Sequence, residues 1–354
     1  VASQVPGRRV TTADIARSLG VSRATVGFVL NETPGQTISA ATTERVLSEA
    51  RRLGYRPHVA ARALASGRSH IVLLVLPDWP IEYSLRQNID EATLALDEHG
   101  YALITFTPHD GARTRPLWET LQPDVVMGLF PFPEPLVHAM RTSGVERIVP
   151  DPDDSSRAQY SEEGPRLQVE HLRGLGHERL GFARPFDPRL AALADAREAA
   201  AAVAAAAAGL PAPTTLEIGP ASSEHDPPVR QWLDSGITAV VAFNDDVAGA
   251  IIGAAARAGI AVPDDLSIVG HDDIPLTMMI EPRISSVRVD STGLGRYLAA
   301  WAIHTMEGAA APDWEQTSAV TLIPRASSGP VRSVGTRGHG GHDERRIGNS
   351  SQRT

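Results

Sequence analysis

The chain has 354 residues, 42% hydrophobic and 21% charged, a globular composition long enough for two or three domains. It contains no cysteine, which excludes disulfide frameworks and thiolate chemistry; no apolar run reaches membrane-spanning length, and the opening VASQVPGRRV lacks a signal-peptide core, so a cytoplasmic protein without a membrane partner is expected. The net charge of −9 hides a segregation: residues 1–70 carry ten arginines against Asp14, Glu32, Glu44 and Glu49, a net of +6, which leaves −15 for the remainder.

A basic module on an acidic body is the charge pattern of a nucleic-acid-binding segment joined to a regulatory domain; a merely solvated basic face is the plainer alternative. Residues 1–9 read as a frayed arm. Thr11 to Asn31 then reads as two short helices with a tight turn between them. Ile15, Ala16 and Leu19 share one face of the first helix, Gly20 supplies a turn residue, and Ser22 stands where an N-cap belongs. The second helix buries Val26, Val29 and Leu30, leaving Arg23, Ala24, Gly27 and Phe28 outward. Such a pair either packs and does nothing more, or it is a helix-turn-helix that lays its outward face in the DNA major groove.

The Pro-Gly pair in ETPGQT marks a loop. Ser39 can cap a third helix carrying Val46, Leu47, Ala50 and Leu53 at helical spacing, with Gly54 as its stop. The following RPHVAARALASGRS is one short alanine-rich helix between Pro57 and Gly67, too short to be stable alone in water.

Three motifs in fixed order, VTTADIARSLGVSRATV with VLN, then IS, T and ERV followed by EARRLGYRP, then AARAL, resemble the DNA-binding headpiece of the LacI/GalR family of bacterial transcriptional regulators. The resemblance implies DNA contacts from Thr11, Ser22, Arg23, Ala24, Thr25, Gly27, Phe28, Asn31, Ser39, Thr42, Tyr55, His58, Ala61 and Leu64. It also implies paired hinge helices whose leucine, here Leu64, wedges into the minor groove and kinks the operator. Two positions depart from the family pattern. Gly27-Phe28 replaces a common Ser-Arg pair, so Phe28 offers only apolar contact, for example to a thymine methyl, or packs under the third helix and reads nothing. Gly27 costs ~1 kcal/mol relative to alanine in a helix and would allow close approach to DNA. His58 replaces a common asparagine, so a hinge hydrogen bond there differs or depends on pH.

From Ile71 the pattern changes. IVLLVLPD is a continuous apolar run, as in a strand buried on both faces of a parallel sheet. A helix (SLRQNIDEATLALDEHG), a strand (YALITFT), a helix-like RTRPLWETL and a strand (DVVMGLF) follow. Later come VEHLRGLGHERLGFA, an alanine-rich helix ending at Gly209, the strand-like TLEIG, QWLDSG, and a strand TAVVAFND. The helix VAGAIIGAAARAG, the strand DLSIVGHDD and STGLGRYLAAWAIHTMEG complete the series. This alternation predicts βαβ units in an α/β architecture. HLRGLGHERLGF, AVVAFNDDVAGAIIGAAARAGIAVPDDLSIVGHDD and RISSVRVD resemble the same family's core, which is similar to periplasmic sugar-binding proteins. The resemblance implies two Rossmann-like lobes with a ligand cleft. The expected division is a headpiece over 1–56, a hinge helix and linker over 57–70, a two-lobed core over 71–325 and a tail over 326–354. Within the core, the N-lobe covers about 71–163 plus a segment after 290 and the C-lobe about 164–290 plus the end of the core. The tail is rich in Gly, Ser and Arg and reads as disordered; without a leucine heptad it predicts no tetramer-forming coiled coil.

The resemblance places an effector against Arg197, Asn244 and Asp272, the last two past strand ends, where open α/β sheets bind ligands. A carboxylate, an amide and a guanidinium supply donors and acceptors for sugar hydroxyls or nucleobase edges, although each alone is more often a cap or surface residue. Tyr83 and Trp79 either stack on a sugar ring or pack within the core or between lobes. His171 and His177 read as structural rather than as metal ligands. No nucleophile elbow, HExxH or phosphate loop occurs, and GLGHERLG has the wrong spacing for a dinucleotide fingerprint, so neither an enzyme nor a cofactor is expected. The expected function is a homodimeric, sequence-specific transcriptional regulator, most often a repressor in this family. It would bind a pseudo-palindromic double-stranded operator under control of a small sugar-like or nucleobase-like effector. The alternative is a solute-binding protein, which has no use for residues 10–70.

Overall fold

The computed structural model describes residues 10–30, 35–55, 68–109, 115–150, 163–219, 229–313 and 320–332. Among the described residues, the N-terminal region holds three helices: α1 (Thr12–Leu19), α2 (Arg23–Leu30) and α3 (Ala40–Leu53). Gly20 and Gly54 end α1 and α3 at φ 67, the left-handed conformation that glycine adopts without steric cost. Ile15, Ala16, Val26, Val29, Val46 and Ala50 form one small core with Leu19, Leu30, Leu53 and Tyr55 against it. Leu47 departs from the helical-face expectation: it is 41% exposed, because α3 turns only its Val46–Ala50 stripe toward α1 and α2.

The chain divides into two compact units, residues 1–157 with 291–318 and residues 158–290 with 319–354. The first unit holds a parallel sheet of β1 (Ile71–Val75), β2 (Ala102–Phe106), β3 (Val125–Gly128) and β4 (Ile148–Val149), in the order β2-β1-β3-β4. Its helices are α4 (Tyr83–Asp97), α5 (Leu117–Leu121), α6 (Glu134–Thr142) and α11 (Ser291–Glu307). The uninterrupted apolar run of β1 follows from its central place. Val72, Leu74 and Leu76 face one core with Leu96 and Leu298, whereas Leu73 and Val75 face another with Trp118 and Met140. Gly295 lets α11 lie directly on α4; a Cβ there would stand 2.5 Å from the Asn88 carbonyl oxygen. The linker into β1 is pinned as well: Asp124 accepts from the Ser69 and His70 backbone amides at 2.9 Å each.

The second unit holds six strands in the order β10-β9-β8-β7-β5-β6: β5 (Leu180–Pro185), β6 (Thr214–Ile218), β7 (Ala239–Ala242), β8 (Ser267–Asp272), β9 (Ser285–Val289) and β10 (Val320–Ile323). Its helices are α7 (Glu163–Gly174), α8 (Ala191–Ala207), α9 (Val229–Asp234) and α10 (Asp245–Arg257). All pairings are parallel except β10 with β9, which is antiparallel. Buried Gln168 of α7 donates through Nε2 to the Ala242, Val269 and Gly270 carbonyls at 2.9, 3.0 and 2.9 Å, tying the helix to the ends of β7 and β8.

The expectation of a tail disordered from residue 326 is corrected by this unit. Ser327 is fully buried, donates to the Ile268 carbonyl at 2.6 Å and accepts at Oγ from the Ser285 amide at 2.8 Å. Val331 donates its amide to the Leu175 carbonyl. Composition underestimated this stretch because its order comes from hydrogen bonds to preformed strands rather than from apolar area. Residues 333–354 lie outside the described residues.

Candidate functional site

The N-terminal candidates fall at three helix starts. The Asp14 carboxylate accepts from the Thr11 amide and hydroxyl at 2.9 and 2.7 Å, fixing the entry to α1. Ser22 accepts from the Thr25 amide at 2.9 Å, and Ser39 from the Thr42 amide at 3.3 Å. Arg23 and Ala24 are exposed, and Thr25, Gly27 and Phe28 half-buried, on the α2 face away from the small core. Among the described residues, a Cβ on Gly27 would meet no atom within 4 Å, so nothing in their packing requires glycine there. Tyr55 packs against the core of the three helices and its amide donates to the Ala50 carbonyl at 2.9 Å. Asn31, His58, Ala61 and Leu64 lie outside the described residues.

In the second unit, strand order reverses between β5 and β7. Such a switch point opens a crevice at the strand C-terminal ends. Arg197, Asn244 and Asp272 converge there. Arg197 stands well inside α8 rather than at a helix opening, because a short helical turn at Pro188–Leu190 precedes it and α8 starts at Ala191. Its guanidinium donates to the Phe243 carbonyl at 2.5 Å and lies 4.7 Å from the centre of the Phe243 ring. It also reaches Asp272 Oδ1 at 3.4 Å, with only 12% and 16% of the two side chains exposed. Burial works against a charged Asp272, but the Arg197 guanidinium and His271 outweigh it and hold this carboxyl well below the usual carboxylate range. Asn244 is 3% exposed, and its Oδ1 accepts from the Val247 amide at 2.9 Å, capping α10 at the end of β7. The pair of charges and the amide offer a ligand acceptors and donors around a locally neutral centre.

Tyr83 belongs to the first unit, where it opens α4 and is 48% exposed. Trp79 meets Phe130 edge-on with centroids 5.6 Å apart, across the ends of β1 and β3. His171 Nε2 pairs with Ser328 Oγ at 2.8 Å, and His177 with Thr238 Oγ1 and the Gly329 carbonyl oxygen at 2.8 and 3.0 Å. Burial pushes both imidazoles down from their ordinary value. They anchor the segment at Ser328 and Gly329, and among the described residues no cluster could hold a metal ion.

A model of bacterial regulatory proteins of the lacI family matches residues 11–58, and a periplasmic binding protein-like domain matches residues 169–328. The HTH-type transcriptional regulator MalR of Streptomyces coelicolor is 31% identical over 353 residues, covering 89% of this chain and 96% of that relative. The chain belongs to the LacI family. Two solved structures share its fold. The Lac repressor dimer bound to operator and the anti-inducer ONPF has a TM-score of 0.71 at 21% identity, covering 91% of this chain and 100% of that one. The CelR–cellobiose complex has a TM-score of 0.58 at 24% identity, covering 90% and 100%.

This LacI-family protein is therefore a DNA-binding transcriptional regulator rather than an enzyme, and the solute-binding alternative falls with the match to its N-terminal helices. Among the described residues, no helix is long and apolar enough to cross a membrane.

Several groups of this LacI-family protein that the sequence did not single out stand beside these candidate residues. Asp245 is fully buried and accepts from Ser286 Oγ at 2.6 Å and from the Ile274 amide at 2.9 Å; burial pushes its carboxyl up to about 8. Asp273 is clamped by Arg288 and Arg325 at 2.6 Å each. Phe186, 64% exposed, stands just past β5. His271 touches Asp272. The doubled acids in NDD and GHDD were a visible signal, but which member of each pair turns inward depends on backbone twist at the strand end.

Proposed function

We propose that this regulator binds a pseudo-palindromic operator as a homodimer and acts as a cytoplasmic repressor whose DNA affinity is set by a small neutral, hydroxylated effector. The observation that carries the effector reading is the buried Arg197–Asp272 pair at the strand ends of the second unit, where each charge is balanced and a carboxylate oxygen remains to accept from a hydroxyl. Asn244 completes the candidate contacts of this unit.

For DNA, the exposed face of α2 enters the major groove. Arg23, Ala24, Gly27, Phe28 and Asn31 face base edges, and the starts of α1, α2 and α3 at Thr11, Ser22 and Ser39 face phosphates. Thr25, Thr42 and Tyr55 support those contacts, and His58, Ala61 and Leu64 belong to the hinge. The operator bound by the Lac repressor and the cellobiose bound by CelR agree in kind with these partners.

Selection of bound duplexes from a random pool, followed by anisotropy titration at several salt concentrations, tests the DNA half. A selected palindrome that outcompetes bulk DNA and binds with a steep salt dependence supports the reading. Equal affinity for all sequences at every salt concentration refutes it.

A further inference from the structure

We propose that His271 is a positioning residue for the effector: its Nδ1–H holds Oδ1 of Asp272, leaving Oδ2 as the acceptor for a hydroxyl of a neutral ligand. This inference rests on the effector site proposed above and deepens it.

Neighbouring residues on a strand point to opposite faces, so His271 and Asp272 should not meet. They do, at 2.7 Å, because the backbone at Asp272 takes φ 94, a left-handed value uncommon for a residue with a Cβ. The next residue, Asp273, is also left-handed at φ 51. Two such residues in succession at a ligand site are strain that the surrounding structure has to maintain. The effect of the strain is to fold the Asp272 carboxylate back against its neighbour's ring.

The ring is fixed from behind. His271 is 3% exposed, and a Cβ on Gly164 would overlap its Nε2, so α7 presents bare backbone to the imidazole. The charged groups facing this pair are Arg197 from α8, Asp245 and Asp246 from α10, and Asp273 from the end of β8. Burial first, then Arg197, pushes the imidazole down from its ordinary value, which favours the neutral ring. An ionised carboxylate only accepts, so the proton of the neutral ring sits on Nδ1. Oδ1 of Asp272 then receives both His271 and Arg197, and among the described residues no hydrogen bond reaches Oδ2. Arg197 is already neutralised by Asp272, so this pair offers no unbalanced cation to a ligand. The matching ligand is therefore a neutral donor of hydroxyls rather than an anion.

Histidine-selective isotope labelling of the full chain, with H271N for assignment, reads the tautomer by NMR without any ligand. The expected result is a neutral Nδ1–H ring across the neutral pH range. An Nε2–H ring, or titration within that range, overturns the proposal.

Binding is read by calorimetry with ribose, galactose, maltose and cellobiose, with a sugar phosphate and hypoxanthine as charged and planar probes. H271F keeps ring volume but loses the donor, and weakens binding about 10-fold or more; H271N, whose amide can replace Nδ1–H, stays within about 3-fold. Melting curves without ligand check that both variants fold. Wild-type affinity in H271F overturns the positioning role and leaves the site standing. Wild-type affinity in D272N overturns the site itself. A sugar phosphate or base as the only binding probe overturns the neutral hydroxyl-donor class. So does a panel in which nothing binds, and the tautomer then decides the positioning role alone.

Discussion

The Arg197 guanidinium reaches Asp272 Oδ1 at 3.4 Å across 75 residues of chain, joining α8 to the end of β8. Neither side chain is more than 16% exposed. Breaking such a pair from one side leaves a buried charge. Arg197→Met is expected to destabilise the protein by about 3 kcal/mol, and Asp272→Asn in the same chain to recover part of that. Urea denaturation of the two single variants and the double variant measures the coupling. Additive losses would show that the two charges do not interact.

Asp245 sets an alkaline limit. Its carboxyl is raised from 3.8 to about 8, so the fold prefers the protonated form. Its contribution to stability is whole below the ordinary carboxylate value and is lost as pH rises through about 8. Asp272 has the opposite sign: its contribution is present above the ordinary value and lost as pH falls. The melting temperature is therefore expected to fall from about pH 6 to about pH 9, and Asp245→Asn to flatten that fall. A wild-type melting temperature that is flat over this range would count against the buried acid.

Gly27 separates folding from DNA contact. An added methyl meets nothing among the described residues, so Gly27→Ala is expected to stabilise α2 by about 1 kcal/mol through helix propensity. If the glycine gives DNA room to approach, the same variant binds the selected operator more weakly. A more stable protein with unchanged operator affinity would remove Gly27 from the interface.

Leu64 tests the hinge. Leu64→Ala is expected to weaken specific operator binding and spare binding to bulk DNA, because a wedge gains only where the duplex is kinked. Equal loss of both, in anisotropy titrations at one salt concentration, would refute the hinge assignment.

The chain end gives a truncation test. A chain ending after Arg332 keeps every described contact of this segment and serves as the reference. Ending it after Arg325 removes Ser327 and orphans the Ile268 amide and carbonyl and the Ser285 amide. Each buried unpaired group costs about 1–3 kcal/mol, so the second truncation is expected to melt markedly lower. Equal melting curves for the two would show that this segment contributes nothing.

The sequence by itself determined the helix-turn-helix and the α/β alternation. Both rest on local rules: Ile15, Val26 and Val46 recur at helical spacing, Ser22 and Ser39 cap, and the β1 run is apolar because both of its faces are covered. The places of Asn244 and Asp272 at strand ends were also legible, since each follows an apolar strand run. Only the tertiary structure decided that Asp245 is buried, that His271 holds Asp272, that Leu47 is exposed and that Ser327 belongs to the core. Each of these depends on groups far apart in the chain, or on a backbone angle, φ 94 at Asp272, that nothing in the residue order announces. Spacing along a chain reports which face a side chain takes within its own element. It does not report what another element brings against that face.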